Sequence, residues 1–253
     1  MPDKRHRMSR IFASDGRTLI VAMDHAGFMG PVPGLVDPRE TVRKVVAGGA
    51  DAVMTTLGSA KRIMGDLNGR GLILSVDLNA PDPAAVVEQA VTLGADSIKT
   101  LAYPLGDDAA GMRNLGRYGV LCDRWGIPFQ AEMIPVSFGA VDKHTPENIA
   151  MAARIGAEIG ADYVKVQYTG DAESFRKVVE GAGVPVVILG GARKEGVPIE
   201  RQVADAVGAG GAGIAFGRNI WSAPDPESAA RELAAAVHGP AAPAKRVRET
   251  VRA

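Results

Sequence analysis

Several ionisable side chains in this sequence stand in apolar settings that should repel them. In Ala161-Asp162-Tyr163-Val164-Lys165-Val166-Gln167-Tyr168-Thr169-Gly170-Asp171, Lys165 sits midway along an aliphatic and aromatic run. Ser97-Ile98-Lys99-Thr100-Leu101-Ala102 holds Lys99 in the same way, and Phe129-Gln130-Ala131-Glu132-Met133 carries Glu132. Lysine is seldom buried without a partner. An ammonium among such neighbours costs free energy unless it is paired or neutral. A lysine whose pKa is lowered in this way can attack a carbonyl. A strand-end lysine that reaches water, or one paired with a carboxylate on a neighbouring strand, needs no chemistry to explain it. Lys165 alone does not decide between these readings.

The elements that would have to position these groups repeat along the whole chain. Short β-branched or aliphatic runs at 18–23, 52–55, 72–78, 97–102, 129–133, 163–167, 185–189 and 212–216 alternate with helical patterns such as Val86, Ala90, Leu93 or Ala152, Ile155, Ile159. Pro38, Pro83 and Pro146 stand near helix starts, where a missing amide hydrogen does no harm. Strands that alternate with helices pair in parallel. Eight such units in 253 residues predict a single-domain (β/α)8 barrel over an open doubly wound sheet. We expect the barrel over residues 18–239, an N-terminal extension over 1–17 and a basic C-terminal tail over 240–253.

An internal repeat supports the barrel. Gly49-Ala50-Asp51, Gly94-Ala95-Asp96, Gly160-Ala161-Asp162 and Gly211-Ala212-Gly213 each follow a helix and precede an even-numbered strand. The glycine suits a left-handed helix end. The third residue after each tripeptide is Met54, Lys99, Lys165 or Phe216. Alternate strands supply the side chains of one interior layer in such barrels, so these four residues are predicted to share a layer. Strand five lies between the two lysines, and its inward set is either Gln130, Glu132 and Ile134 or Phe129, Ala131 and Met133. A buried ion-pair network is rarely a gain over an apolar core, so two lysines flanking a carboxylate lean toward function.

The chain also offers an anion site. Leu189-Gly190-Gly191 follows strand seven, and Phe216-Gly217-Arg218-Asn219-Ile220-Trp221 follows strand eight. Glycines there let backbone amides approach an anion, and the loops after strands seven and eight are the usual phosphate site of this fold. One Gly-Gly pair means little among 31 glycines. Two at the right strand ends, the second followed by Arg218, predict phosphate binding. Asp24 and His25 end strand one, where barrel enzymes place catalytic groups; a turn-capping Asp24 and a rim His25 are the plain alternative.

The remaining features narrow the class. Net charge is zero, 46% of residues are hydrophobic and 23% charged, so nothing points to nucleic acid or a membrane surface. The basic ends (Lys4, Arg5, Arg7, Arg10; Lys245, Arg246, Arg248, Arg252) read as solvated tails or interface rims. Cys122 has no partner for a disulfide and reads as a core residue. No apolar run reaches about 18 residues, and a cytoplasmic protein is expected. No spacing resembles a metal site or a dinucleotide fingerprint, so neither metal nor cofactor is expected.

Val21-Ala22-Met23-Asp24-His25, the 163–171 motif, Leu189-Gly190-Gly191 and Ala215-Phe216-Gly217-Arg218-Asn219-Ile220-Trp221 together resemble the archaeal-type class I fructose-bisphosphate aldolases. That group is related to the deoxyribose-phosphate and tagatose-bisphosphate aldolases. The similarity runs from about residue 8 to residue 238 and is most specific around Lys165. It implies a (β/α)8 barrel, a metal-free Schiff-base mechanism with Lys165 as nucleophile and Asp24 in the site, and a homo-oligomer. One position departs. Archaeal-type aldolases and the aminosugar synthases carry a catalytic tyrosine just before a proline on strand five, where this chain has Ile134-Pro135. Glu132 and Lys99 instead look like the tagatose-bisphosphate and sulfofructose-phosphate aldolases, which implies Glu132 as acid/base with Lys99 assisting.

The expected substrate is then a phosphorylated ketose, held by Gly190, Gly191, Gly217 and Arg218 with His25 and Gln167 nearby. Lys99 would lower the pKa of Lys165 by like-charge proximity and bind substrate oxygens; Lys99 as the nucleophile stays open. Two other classes stay open as well, an aldol or acyl transferase using the same lysine and a non-catalytic phosphosugar-binding protein.

Overall fold

In the computed structural model, which describes residues 3–191 and 199–239, eight parallel strands close into one barrel in chain order. They are β1 Thr18–Ala22, β2 Ala52–Thr55, β3 Gly71–Ser75, β4 Ser97–Ala102, β5 Phe129–Met133, β6 Tyr163–Val166, β7 Val186–Leu189 and β8 Gly213–Phe216. β8 pairs with β7 on one side and with β1 on the other, so no sheet edge is left open. Helices connect the strands around the outside, and this is the (β/α)8 architecture expected from the alternating pattern. β3 is shorter than the 72–78 run suggests, because after Ser75 only the Val76 amide still pairs, with the Lys99 carbonyl, before the chain turns at Asp77.

Helix starts follow from local chemistry. Pro38–Ala47, Pro83–Leu93, Pro146–Glu158 and Pro226–His238 each open on proline. The residues before them, Asp37, Asp82, Thr145 and Asp225, accept first-turn amides through their side chains. Each such cap stabilises its helix by about 1 kcal/mol. Strand residues are mostly buried and apolar on both faces, because helices cover the outside and the barrel fills the inside, with the polar exceptions concentrated on β4–β6. Leu19, Val53, Ile98, Phe129 and Val164 face the helices, while Ile20, Ala22, Met54, Ile73, Tyr163 and Val187 pack inside. Cys122 is buried in the outer layer, as expected.

The even-strand repeat holds for three strands and slips on the fourth. Gly49, Gly94 and Gly160 take positive φ at the helix ends. At the fourth helix end it is Gly210, with φ of 102°, that fills this place, one residue earlier than expected. The Gly211 amide then bonds the Ala206 carbonyl just as Ala161 bonds Gly156 and Ala95 bonds Ala90. The register therefore shifts by one. Ala215 joins Met54 inside the barrel, and Phe216, expected in the inner layer, points outward into the helix shell.

The basic N-terminus corrects a second expectation. Helix Arg5–Ile11 closes the amino end of the barrel, with Ile11 fully buried in the inner cluster and Phe12 edge-on to Tyr163 at 5.3 Å. Lys4 pairs with Asp162 at 2.8 Å and Asp123 at 2.5 Å, Arg10 pairs with Asp96 at 2.8 Å, and Arg7 donates to the Ala95 carbonyl. Lys4, Arg7 and Arg10 are not a solvated tail, because buried or half-buried acceptors on other elements take their charges. The basic C-terminal segment 240–253 lies outside the described residues.

Candidate active site

The carboxyl ends of the strands gather nearly all of the predicted site residues around one cleft of about 210 Å³. Of the two possible inward faces of β5, the structure shows Gln130 and Glu132 inward, with Phe129, Ala131 and Met133 in the outer shell. Glu132 lies level with Lys165 on β6 and two residues beyond Lys99 on β4, because Glu132 registers with Lys165 while Lys99 registers with Gln130. Its carboxylate bridges the two lysines, with Oε1 2.8 Å from Lys165 Nζ and Oε2 2.6 Å from Lys99 Nζ. Lys99 Nζ is also 3.3 Å from Asp24 Oδ2 at the end of β1. Asp24 Oδ2 in turn accepts a 2.7 Å hydrogen bond from Ser75 Oγ on β3. The expected like-charge pair is therefore bridged: each ammonium has a carboxylate between it and the other.

Burial makes this network costly as mere structure. The four charged side chains are only 6–9% exposed. Burial alone would raise the Glu132 pKa, but the charges of Lys165 and then Lys99 outweigh it and hold the carboxyl below its ordinary range. Burial likewise opposes ionisation of Asp24, yet Lys99 first, then the His25 contact, Lys165 and Ser75 keep its carboxyl far below the usual carboxylate range. For Lys99 burial works against the charge, and Glu132 followed by Asp24 raise its pKa above that of an ordinary lysine. At neutral pH Glu132 and Asp24 are carboxylates and Lys99 is an ammonium. An apolar replacement of such a network is often neutral or stabilising, so stability does not account for it.

The other end of the cleft is built from backbone. Gly190, Gly191, Gly217 and Arg218 line it together with His25. At Gly217 a Cβ would fall 2.6 Å from the Ala22 carbonyl oxygen and 2.7 Å from the His25 ring, so only glycine fits. At Gly190 a Cβ would meet the Asn219 amide and the Phe216 ring at 2.7 and 2.8 Å. Asn219 Nδ2 donates to the Gly190 carbonyl at 3.1 Å and ties the two glycine loops together. Among the described residues, Arg218 Nε is buried without a hydrogen-bond acceptor, and His25 Nδ1 has only a long 3.5 Å contact with Asp24. Bare backbone, an unused guanidinium donor and a ring nitrogen converge where an anion could sit. Ala192 and Arg193, which follow Gly191, lie outside the described residues.

Gln167 is not part of this cleft. β6 ends at Val166, so strand alternation no longer fixes the direction of Gln167, and its amide faces His144 at 3.3 Å. Ser75 was missed. Reading strand three as 72–78 left its inward positions undefined, and a lone serine gives no other signal. Phe28 and Phe138, at 72% and 50% exposed, stand at the rim. Among the described residues no group of three or more His, Cys, Asp and Glu side chains could hold a metal, and no helix is long and apolar enough to cross a membrane.

Comparison with known proteins gives the family. A family model for DeoC/LacD family aldolases matches residues 18–223. The chain is 38% identical over 250 residues to the 2-amino-3,7-dideoxy-D-threo-hept-6-ulosonate synthase 1 of Archaeoglobus fulgidus, covering 94% of this chain and 92% of that one. It is 33% identical over 258 residues to the fructose-bisphosphate aldolase class 1 of Thermoproteus tenax, with 94% and 96% covered. One solved structure is of an archaeal fructose-1,6-bisphosphate aldolase with its catalytic lysine covalently bound to the carbinolamine intermediate of the substrate. This chain matches it with a TM-score of 0.82 at 31% identity, covering 94% of this chain and 100% of that one. The family match begins at Thr18, the first residue of β1, and runs past β8. The chain belongs to the DeoC/LacD family of aldolases.

Proposed function

We propose that this aldolase reversibly cleaves a phosphorylated ketose to dihydroxyacetone phosphate and an aldehyde through a Schiff base on Lys165. The observation that carries the reading is Glu132 bridging Lys165 and Lys99 at 2.8 and 2.6 Å, in a cleft whose far end is lined by Gly190, Gly191, Gly217 and Arg218. Glu132 takes the proton of the Lys165 ammonium, and the free amine attacks the ketone carbon. Glu132 returns that proton to the carbinolamine hydroxyl, which leaves as water, and the nitrogen becomes a protonated imine. The imine draws electrons from the adjacent carbon–carbon bond while Glu132 removes the proton of the hydroxyl that becomes the aldehyde. Glu132 then protonates the enamine carbon, and water releases the ketone. One carboxylate within hydrogen-bond reach of the nucleophile can serve every proton transfer, a contribution of roughly 10²–10⁴-fold.

The neighbours support these steps. Lys99 stays charged, holds Glu132 in place and can bind substrate oxygens. Asp24, fixed by Ser75 and Lys99, can orient a hydroxyl. The phosphate docks on the glycine amides and Arg218. Glu132 and Lys99 in place of a tyrosine before Pro135 favour the acid/base pair of the tagatose-bisphosphate and sulfofructose-phosphate branch, a likeness in the catalytic groups that leaves the far end of the substrate open. Incubation with ketose phosphates and borohydride, followed by peptide mass mapping, tests the assignment. The label is expected on Lys165; label on Lys99, or on neither lysine, overturns it. A second reading rests on two relatives, at 38% and 34% identity, that are 2-amino-3,7-dideoxy-D-threo-hept-6-ulosonate synthases. A transfer product in place of free dihydroxyacetone phosphate would favour that reading.

A further inference from the structure

A second, larger cavity of about 560 Å³ opens beside the catalytic cleft and shares Asp24, Phe28, Lys99 and Leu101 with it. It lies over β2–β4 and the turns that follow them, with Thr56, Asp77, Asn79, Tyr103 and Asp108 in its wall. In a closed barrel of eight strands, β3 and β4 stand across from β7 and β8. A ketose with its phosphate on the glycine loops and its carbonyl carbon on Lys165 must extend its remaining carbons past Glu132 and Lys99, toward this second cavity. On the reading given above, the cavity is the subsite for the half of the substrate that leaves as the aldehyde.

Its charge is opposite to that of the phosphate end. Asp77 and Asp108 are fixed in place, since Asp77 Oδ1 accepts the Asn79 amide at 2.9 Å and Asp108 Oδ1 accepts the Gly111 amide at 2.8 Å. Among the described residues of the wall the one cation is Lys99, and its charge is already offset by the Glu132 and Asp24 carboxylates. The two fixed carboxylates accept hydrogen bonds only, while the threonine and tyrosine hydroxyls and the asparagine amide can accept or donate. The carboxylates do not complement a second phosphate or a sulfonate, which would meet like charge without a free counter-ion. We infer that the distal half of the substrate carries no second anionic group, so that the enzyme acts on a ketose 1-phosphate whose far end presents hydroxyl or ammonium hydrogens to Asp77 and Asp108.

The test uses the full-length enzyme and matched pairs, D-fructose 1-phosphate against the 1,6-bisphosphate and D-tagatose 1-phosphate against its 1,6-bisphosphate. Both members of each pair are also submitted to borohydride trapping. The expected result is a kcat/KM about tenfold or more higher for the monophosphate. That preference should shrink by about tenfold in the double variant Asp77→Asn/Asp108→Asn, whose amide oxygens can still accept the two backbone hydrogens. Asn79→Lys, an exposed change that adds a cation to the same wall, should shrink it independently. A wild-type enzyme that traps and cleaves the bisphosphate as well as or better than the monophosphate overturns this inference and leaves the Schiff-base reading standing. A preference that neither variant alters also overturns it. If no ketose phosphate is trapped at all, the underlying reading fails, and this inference fails with it.

Discussion

Glu132 holds the site together at the scale of single residues, because among the described residues it is the one acceptor shared by both lysines. Glu132→Gln keeps the shape of the side chain but removes the base and leaves two ammoniums with one fewer counter-charge. We expect kcat to fall about 10²–10⁴-fold with the barrel intact, measured by steady-state cleavage alongside a thermal melt. An unchanged kcat would show that Glu132 carries no proton. The sign of its pH dependence follows from its partners. Lys165 and Lys99 hold the Glu132 carboxyl below its ordinary value, so its contribution to stability is present above the ordinary carboxylate range and is lost as pH falls through the depressed folded value. Ser75 acts one step further out. Ser75→Ala removes the 2.7 Å bond to Asp24 but leaves Lys99 in place, and a loss of about tenfold in kcat/KM is expected, against near-total loss for Asp24→Ala. Equal effects of the two changes would place Ser75 in the chemistry and not in support of it.

At the scale of elements, three strands carry the same locking device at the amino end of the barrel. Asp51, Asp96 and Asp162 each accept an amide from the start of the strand before their own, those of Leu19, Leu72 and Phe129, at 2.7 to 2.9 Å. Each is then met by a cation from one end of the chain: His238 on Asp51, Arg10 on Asp96, Lys4 on Asp162. Asp96 is 4% exposed, so Asp96→Ala strands both the Leu72 amide and Arg10. A cost of about 1–3 kcal/mol in urea unfolding is expected, with kcat/KM of the folded enzyme unaltered because the site lies at the opposite end. The Gly-Ala-Asp tripeptides were visible as a repeat, but nothing local revealed their cations, which lie up to 187 residues away in the chain. The slip on β8 has a plainer cause. Gly210 and Gly211 are adjacent, either can end the preceding helix, and only the hydrogen bond from Gly211 to Ala206 shows which residue begins the strand. The lysines and Glu132 were legible for the opposite reason: a charge inside a four- to six-residue aliphatic strand has few bland explanations, and parallel register then fixes its neighbours.

Over the whole molecule the barrel separates its tasks by end. Carboxyl strand ends hold the charged cleft, while the amino ends are stapled by both terminal segments, the helix Arg5–Ile11 and the close of helix Pro226–His238. The second staple contains a titratable group. His238 Nδ1 lies 2.8 Å from Asp15 and Nε2 2.9 Å from Asp51, so both ring nitrogens face carboxylates and the doubly protonated ring suits both. Asp51 first, and then Asp15, raise the His238 pKa above its ordinary value against the opposing effect of burial. Arg17 flanks the same contact, its backbone amide donating to Asp15 and its guanidinium to the Val237 carbonyl. A raised folded pKa means that the stabilisation is fully present below about pH 6.5, the value in an unfolded chain, and fades as pH rises through the folded value. His238→Gln should therefore cost about 1–2 kcal/mol near pH 6 and much less near pH 9, read from urea unfolding of both proteins at each pH. The catalytic parameters at a given pH should be shared by the two proteins, since His238 lies at the end of the barrel away from Lys165. A cost that stays the same at pH 6 and pH 9 would mean that the ring contributes packing alone, and that the C-terminal staple is held without its charge.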